Sequence, residues 1–132
     1  MPLGKPEGMQ GLRVLVVDDY KDAADSLALL LRFYACEVEI ARDGPAALAI
    51  LQTWWPDAVV LDLGLPGMDG YRVAKFVETQ SAGRRRPLLI ALTGYAREED
   101  RRRCAAAGFE HHFIKPVEPA SLLDLLRDRQ LH

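Results

Sequence analysis

Four places in the 132-residue sequence put a polar side chain directly after a short apolar run. These side chains belong to Asp18 with Asp19, to Asp62, to Thr93 and to Lys115. Carboxylates that lie close together repel one another, and a hard divalent cation would keep them ionised. Mg²⁺ prefers such oxygen ligands and also binds phosphate. Carboxylates, Mg²⁺, a hydroxyl and an ammonium group together predict a site of phosphoryl transfer.

The apolar runs that precede these residues are predicted β-strands. Three of the five runs are apolar nearly throughout, which is typical of strands covered on both faces in a parallel sheet. The predicted strands are residues 13–17, 37–41, 58–61, 88–92 and 112–114. A stretch with a helical apolar face follows each of them. Five helices are predicted: the first over residues 24–34, the second from residue 44, the third around 73–77, the fourth over 97–107 and the fifth from residue 119.

Strands that alternate with helices predict an α/β fold, a doubly wound five-stranded parallel sheet flanked by five helices, of the flavodoxin-like kind. Such sheets bind ligands beyond the carboxyl ends of their strands. The second strand ends in Ala41 and Arg42 without a comparable group, which suits an edge strand in the predicted order 2-1-3-4-5. We expect one domain over residues 12–132. Residues 1–11, with three glycines and two prolines, are expected to form a flexible lead.

The composition limits the classes of protein to consider. Hydrophobic residues make up 49% and charged residues 27% of the chain, with a formal net charge of −2. This balance excludes a disordered tail and a coiled coil, and gives no bias toward nucleic acid or membranes as partners. Two cysteines are too few for a disulfide framework, and no signal peptide is evident, so we expect a cytoplasmic protein. The basic run at 84–86 is expected on a solvated surface.

The motifs around the four polar positions carry a family resemblance. They are Val16-Val17-Asp18-Asp19, LDLGLPGMDG over residues 61–70, Ala91-Leu92-Thr93-Gly94 and Lys115-Pro116. From residue 12 to residue 126 the chain resembles the receiver domain of two-component response regulators. The spacing fits as well: 44 residues separate the Asp18 and Asp62 positions, 31 lead on to Thr93, and 22 more to Lys115. A softer resemblance is to receivers of hybrid sensor histidine kinases, so a stand-alone regulator and a fragment of a hybrid kinase both stay open.

The resemblance implies that Asp62 is the phosphoacceptor. The donor would be the phosphohistidine of a histidine kinase or phosphotransfer protein, or a small acyl phosphate. Asp19, Asp62 and the carbonyl of Gly64 would bind Mg²⁺ directly, and Asp18 through a metal-bound water. Receivers catalyse only their own phosphorylation and dephosphorylation, so we do not expect an enzyme. The face of the fourth and fifth predicted helices is expected to serve partners or a weak homodimer.

The resemblance also implies a conformational switch. Lys115 would pair with the phosphoryl oxygens, and Thr93 would form a hydrogen bond to the phosphoryl group once it is present. Receivers usually place Tyr or Phe three residues before the lysine, where this sequence has His112. An imidazole ring is smaller than a phenol ring and titrates near neutral pH. We therefore expect a shallower switch, whose inward state is favoured at higher pH.

Other proteins that share part of this chemistry fit less well. A phosphatase of the haloacid dehalogenase type has a second aspartate two residues after its nucleophile. That position is Gly64 after Asp62, and Tyr20 after Asp18. A flavodoxin needs a phosphate-binding loop rich in Ser, Thr and Gly after the first strand, where residues 18–22 would repel a phosphate. A receiver without a working site is disfavoured because all five site residues are present.

Overall fold

The computed structural model describes residues 9–63, 70–94, 102–103, 105–115 and 117–131, without the side chains of 130 and 131. Within these ranges the chain forms one parallel sheet with the strand order β2-β1-β3-β4-β5. The strands are β1 Arg13–Val17, β2 Glu37–Ala41, β3 Ala58–Asp62, β4 Leu88–Thr93 and β5 His111–Ile114. The predicted strand order and parallel class are confirmed.

Four helices have defined bounds, and we number them in chain order. They are α1 Lys21–Phe33, α2 Gly44–Thr53, α3 Gly70–Gln80 and α4 Pro119–Leu131. The helix predicted over 97–107 lies mostly outside the described residues, although 102, 103, 105 and 106 within it are helical. No helix in the described part of the chain is both long enough and apolar enough to cross a membrane.

The sheet is covered on both faces, and successive strand residues alternate between them. One face carries Val14, Val16 and Val60 and packs against α1 and α4. The opposite face carries Leu15 and Leu61 and packs against α2 and α3. All residues of β3 and β4 are buried, as expected for central strands of a parallel sheet. This double cover leaves the carboxyl ends of the strands as the place for polar side chains.

Three strands are one residue longer than predicted. Asp62 ends β3 and pairs with Leu92, while Thr93 ends β4 and pairs with Ile114. At the other end of the ladder, β5 begins at His111. The apolar run marks the buried part of a strand, but backbone hydrogen bonding continues for any residue that keeps the extended conformation. Two predicted site residues therefore belong to the sheet itself.

The predicted lead over 1–11 needs a correction at its C-terminal end. Residues 1–8 lie outside the described ranges, but Met9 is fully buried in the core on the α1 side. The N–H of Gly11 donates to the carbonyl of Ala35 at 2.9 Å, and the N–H of Leu12 donates to that of Met9 at 3.1 Å. These contacts fix the chain against the end of α1, so within the described residues the core extends back to Met9.

The basic run at 84–86 lies at the surface as expected, with Arg84 and Arg85 exposed, and its side chains also bind backbone carbonyls. Arg84 and Arg85 donate to carbonyls in the last turns of α3 and α4, at 3.0 and 2.7 Å. Arg86 donates to the carbonyl of Gly108 at 2.8 Å. The last carbonyls of a helix lack intrahelical partners and form the negative end of its dipole. The run therefore stabilises the ends of helices at the amino edge of the sheet.

Candidate functional site

Predicted site residues meet at the carboxyl edge of the sheet. The last pair between β1 and β3 is Val17 with Leu61. Asp18 and Asp62 therefore follow at the same level on neighbouring strands, whose backbones lie about 5 Å apart. Both residues continue the alternation that faces α1 and α4. The register of the sheet thus brings two carboxylates together that are far apart in sequence.

Asp62 is an almost fully buried carboxylate with a cation in contact. Its exposed fraction is 1%, and burial of an unpaired carboxylate is costly. The ammonium group of Lys115 contacts Oδ2 of Asp62. The backbone N–H of Lys115 donates to the carbonyl of Thr93 at 2.8 Å, which anchors the lysine just beyond β5. Because 37% of the lysine side chain is exposed, the ammonium is accessible to a second anion.

The first strand supplies one buried and one exposed carboxylate. Asp18 is 5% exposed, and its Oδ1 accepts a hydrogen bond from the N–H of Tyr20 at 3.0 Å. A side-chain acceptor bonded two residues on is typical of the turn that leads a strand into a helix. Asp19, between them, is exposed. The end of β1 is therefore followed by one buried carboxylate, that of Asp18, and one exposed carboxylate, that of Asp19.

Thr93 and His112 occupy different levels of the sheet. Thr93 is 7% exposed at the end of β4, one residue beyond the partner of Asp62 in the ladder. His112 is half-buried on the edge strand β5 and pairs with Ala91. The hydroxyl-bearing residue thus lies at the same edge as the carboxylates. The histidine lies below that edge.

The donor set at this edge suits a hard divalent cation. Asp18, Asp19 and Asp62 carry carboxylates at or just after the ends of β1 and β3, Lys115 contacts Asp62, and Mg²⁺ prefers oxygen ligands of this kind. Among the described residues, no three His, Cys, Asp or Glu side chains are yet grouped closely enough to enclose a metal ion. The predicted fourth ligand, Gly64, lies outside the described residues. The chemistry of the donors fits Mg²⁺.

An apolar groove opens beside Asp18 and Lys115, between α1 and the segment that leads from β5 into α4. Its volume is about 610 Å³. The residues that line it are Asp18, Tyr20, Ala23, Ser26, Leu27, Leu30, Leu92, Lys115, Val117 and Pro119. Sequence reasoning missed this groove because periodicity marks the side of a helix that faces the core and not the gap between two elements. One signal in the sequence was available. The helix α1 has more apolar residues than its core-facing side needs, and one of them, Leu29, is 72% exposed.

Comparison with known proteins identifies the family. The family model described as the response regulator receiver domain matches residues 14–127. A 14.6 kDa protein of Leptolyngbya boryana, from the 3′ region of sodA1, is 38% identical over 114 residues, which are 86% of this chain and 86% of that protein. The virulence sensor protein BvgS of Bordetella bronchiseptica is 36% identical over 122 residues, or 89% of this chain and 10% of BvgS.

A solved structure supports the same assignment. The receiver domain of the sensor histidine kinase PA1611 from Pseudomonas aeruginosa PAO1 matches with a TM-score of 0.79 and 30% identity. The match covers 92% of this chain and 99% of the other, and that domain is described with a magnesium ion coordinated in its active-site cleft. The similar proteins thus include a small protein of comparable length and the receivers of two larger sensors. This chain belongs to the response regulator receiver domains, the phosphoacceptor modules of two-component systems.

Proposed function

We propose that Asp62 is the residue that accepts the phosphoryl group. One observation supports this most strongly: a carboxylate only 1% exposed lies at the carboxyl edge of the sheet in contact with the ammonium of Lys115. Asp18, a second buried carboxylate, follows β1 at the same level. Buried charges set beside one another at a ligand-binding edge are more typical of a reactive site than of a stabilising ion pair.

The proposed reaction uses Asp62 as the nucleophile. A carboxylate oxygen of Asp62 attacks the phosphorus atom, and the bond from phosphorus to the donor's nitrogen or oxygen breaks. The bonding electron pair leaves with the donor. Lys115, anchored at 2.8 Å to the carbonyl of Thr93, turns from the carboxylate to the oxygens of the incoming phosphoryl group and offsets their charge.

Asp18, Asp19 and Asp62 would hold Mg²⁺ in this proposal, with the carbonyl of Gly64 as a further ligand. When bound, the ion would offset charge on the carboxylates and on the phosphoryl oxygens, so that an anionic nucleophile could meet an anionic donor. The two buried carboxylates at the same level of the sheet, Asp18 and Asp62, support this assignment. The magnesium ion described for the PA1611 receiver supports it as well.

We infer that Thr93 and His112 connect phosphorylation to a change of shape. The Thr93 hydroxyl would form a hydrogen bond to the phosphoryl group, and the ring of residue 112 would turn inward in response. The burial of Thr93 at the same edge as Asp62 supports the first step. The half-buried position of His112 on the edge strand, beside β4, supports the second. An equilibrium between two packings, biased by new contacts, is how such switches operate.

The proposed donor is a histidine kinase or a histidine phosphotransfer protein. Its phosphohistidine must reach the edge formed by Asp18 and Lys115, so the donor has to cover the start of α1. Tyr20, directly before α1, is a large exposed side chain at this end of the helix. Tyrosine is enriched at the contact surfaces of proteins. We therefore place the docking surface for the donor on Tyr20 and the first turn of α1.

The experiment is phosphorylation by acetyl phosphate with and without Mg²⁺, followed by intact mass. We expect one added phosphoryl group in the presence of Mg²⁺ and none with Asp62→Asn. The matched control is Asp57→Asn, since Asp57 precedes the same strand at its other end and accepts a hydrogen bond from the N–H of Arg13 at 2.8 Å. That variant should be labelled like the wild type. Undiminished labelling of Asp62→Asn would refute the assignment.

A further inference from the structure

The groove beside Asp62 has two chemically different parts. Where it meets the acceptor it is lined by Lys115, whose ammonium contacts Asp62, and by Asp18. The rest is lined mainly by carbon, including Leu27 and Leu30 of α1 and Val117 before α4. A ligand that fills both parts needs an anionic head for the ammonium and the metal site, and an apolar tail for the carbon-lined part.

We propose that this groove binds the acyl chain of small acyl phosphates and makes the protein prefer donors longer than acetyl phosphate. The proposal rests on the proposed function of Asp62. The phosphoryl group would lie at Lys115 and Asp62, and the acyl chain would run along α1 toward Leu30. The donor is thus recognised by its head and by its tail, where acetyl phosphate offers little beyond the head.

The chemistry balances without any further reactant. A carboxylate oxygen of Asp62 forms a bond to phosphorus, and the bond between phosphorus and the acyl oxygen breaks. Its electron pair stays on that oxygen, so the products are the aspartyl phosphate and a free carboxylate. The leaving acyl group departs on the side of the donor away from Asp62. A groove that begins at Lys115, which contacts Asp62, and is apolar beyond it suits the chain of that leaving group.

The size of the groove allows a measurable preference. A volume of about 610 Å³ is larger than a six-carbon chain needs. A methylene in a half-open groove loses about half of the water contacts that it would lose in a protein core. It should therefore contribute about half of the hydrophobic free energy of a fully buried methylene. We therefore expect the half-saturating donor concentration to fall about 1.8-fold per added methylene, and roughly ten-fold over the four methylenes that separate acetyl from hexanoyl phosphate.

The test compares acetyl, butyryl and hexanoyl phosphate as donors in the presence of Mg²⁺. Two neighbouring leucines of α1 provide the variant and its matched control. Leu30→Ser makes the groove wall polar, whereas Leu29→Ser alters a side chain that is 72% exposed and outside the groove. We expect Leu30→Ser to reduce the ten-fold hexanoyl advantage to about three-fold or less, while Leu29→Ser keeps it. Acetyl phosphate should label all three proteins at similar rates.

A binding experiment separates this proposal from the proposed function. Hexylphosphonate has the same kind of head and tail but cannot transfer its phosphoryl group. In the wild type and in Asp62→Asn it should shift the amide resonances of Leu27 and Val117, and Leu30→Ser should weaken that binding. A flat donor series in a protein that acetyl phosphate still labels at Asp62 would overturn the groove proposal alone. Absence of labelling by every donor would instead overturn the proposed function.

Discussion

The ion pair between Lys115 and Asp62 determines the charge balance of the site. Asp62 is nearly inaccessible, yet the lysine that compensates it is 37% exposed. The ammonium contacts a buried carboxylate on one side and is open to solvent on the other. It can therefore bind a second anion in addition to that carboxylate. That property is suited to a phosphoryl group arriving next to Asp62. The ammonium offsets the cost of the buried carboxylate, and in the proposed reaction it would also stabilise the phosphoryl oxygens.

Cys36 is a further buried ionisable residue, and it lies away from the carboxyl edge. It follows α1 and is 6% exposed, and its thiol donates to the carbonyl of Met9 at 3.8 Å. Burial raises the pKa of the Cys36 thiol to about 11, from 9.0 for an ordinary thiol. The folded protein therefore favours the neutral thiol. Its contribution to stability is complete below pH 9 and is lost as the pH rises toward 11.

This burial leads to a prediction about alkaline stability. Between pH 9 and pH 11 the wild type should lose up to about 2 kcal/mol more unfolding free energy than Cys36→Ala, because the variant has no thiolate to bury. The measurement is urea unfolding of both proteins across that range. The remaining titratable groups, Cys104 among them, are common to both and cancel in the difference. Parallel pH profiles would show that Cys36 ionises as easily in the fold as outside it.

The end of α1 holds a residue in an unfavourable conformation. Ala35 has φ of +67°, in the left-handed region where glycine is the usual residue. The N–H of Ala35 donates to the carbonyl of Arg32 at 2.9 Å, and the N–H of Cys36 donates to that of Leu31 at 3.1 Å. These bonds close the helix, and Met9 and Cys36 pack beside the turn. The packing of this corner offsets the conformational strain of an alanine.

We expect Ala35→Gly to stabilise the protein by about 0.5–1 kcal/mol, because relief of the left-handed strain exceeds the added entropy of the unfolded chain. The matched control is Ala49→Gly at an exposed position inside α2. That change should destabilise the protein by about 1 kcal/mol. Thermal unfolding of both variants measures the two effects. Equal destabilisation by both would mean that the turn at Ala35 is not strained.

The elements were largely predictable, and the exceptions share one cause. Apolar runs and helical periodicity located all five strands, because burial on both faces leaves a strong local signal. The prediction from apolar runs placed the ends of β3 and β4 one residue too early, at Leu61 and Leu92. Backbone pairing between the strands extends one residue past each apolar run. Three features were not predicted: the burial of Met9, the hydrogen bonds of the basic run at 84–86, and the groove. Each depends on which elements become neighbours, and that information is not local to any segment.

At the scale of the whole molecule, the two edges of the sheet have opposite roles. The carboxyl edge gathers Asp18, Asp62, Thr93 and Lys115, all supplied by strand ends. The amino edge is joined by the arginines at 84–86, which bond to helix ends. One edge therefore gathers the candidate site residues, and at the other the arginines bond to helix ends. In the proposed switch, a change of shape that starts at Asp62 passes through β4 and β5.

The proposed switch predicts a specific pattern of change. A beryllofluoride mimic of the phosphoryl group, added with Mg²⁺, should shift amide resonances in the second half of β4 and along β5, around Thr93 and His112. His112→Tyr should enlarge these shifts. A phenol ring would fill the space that the Thr93 hydroxyl leaves more completely than an imidazole ring does. Thr93→Ala should reduce them while Asp62 still binds the mimic. Identical spectra with and without the mimic would show that the shape change does not use this path.

The most direct test of the central claim is to locate the phosphoryl group chemically. The protein is phosphorylated by a phosphohistidine donor with Mg²⁺ present and then treated with borohydride, which reduces an aspartyl phosphate to homoserine. Peptide mass spectrometry then identifies the modified residue. We predict homoserine at position 62 alone, and none when Mg²⁺ is chelated. Homoserine at Asp18, Asp19 or Asp57, with position 62 unchanged, would contradict the account.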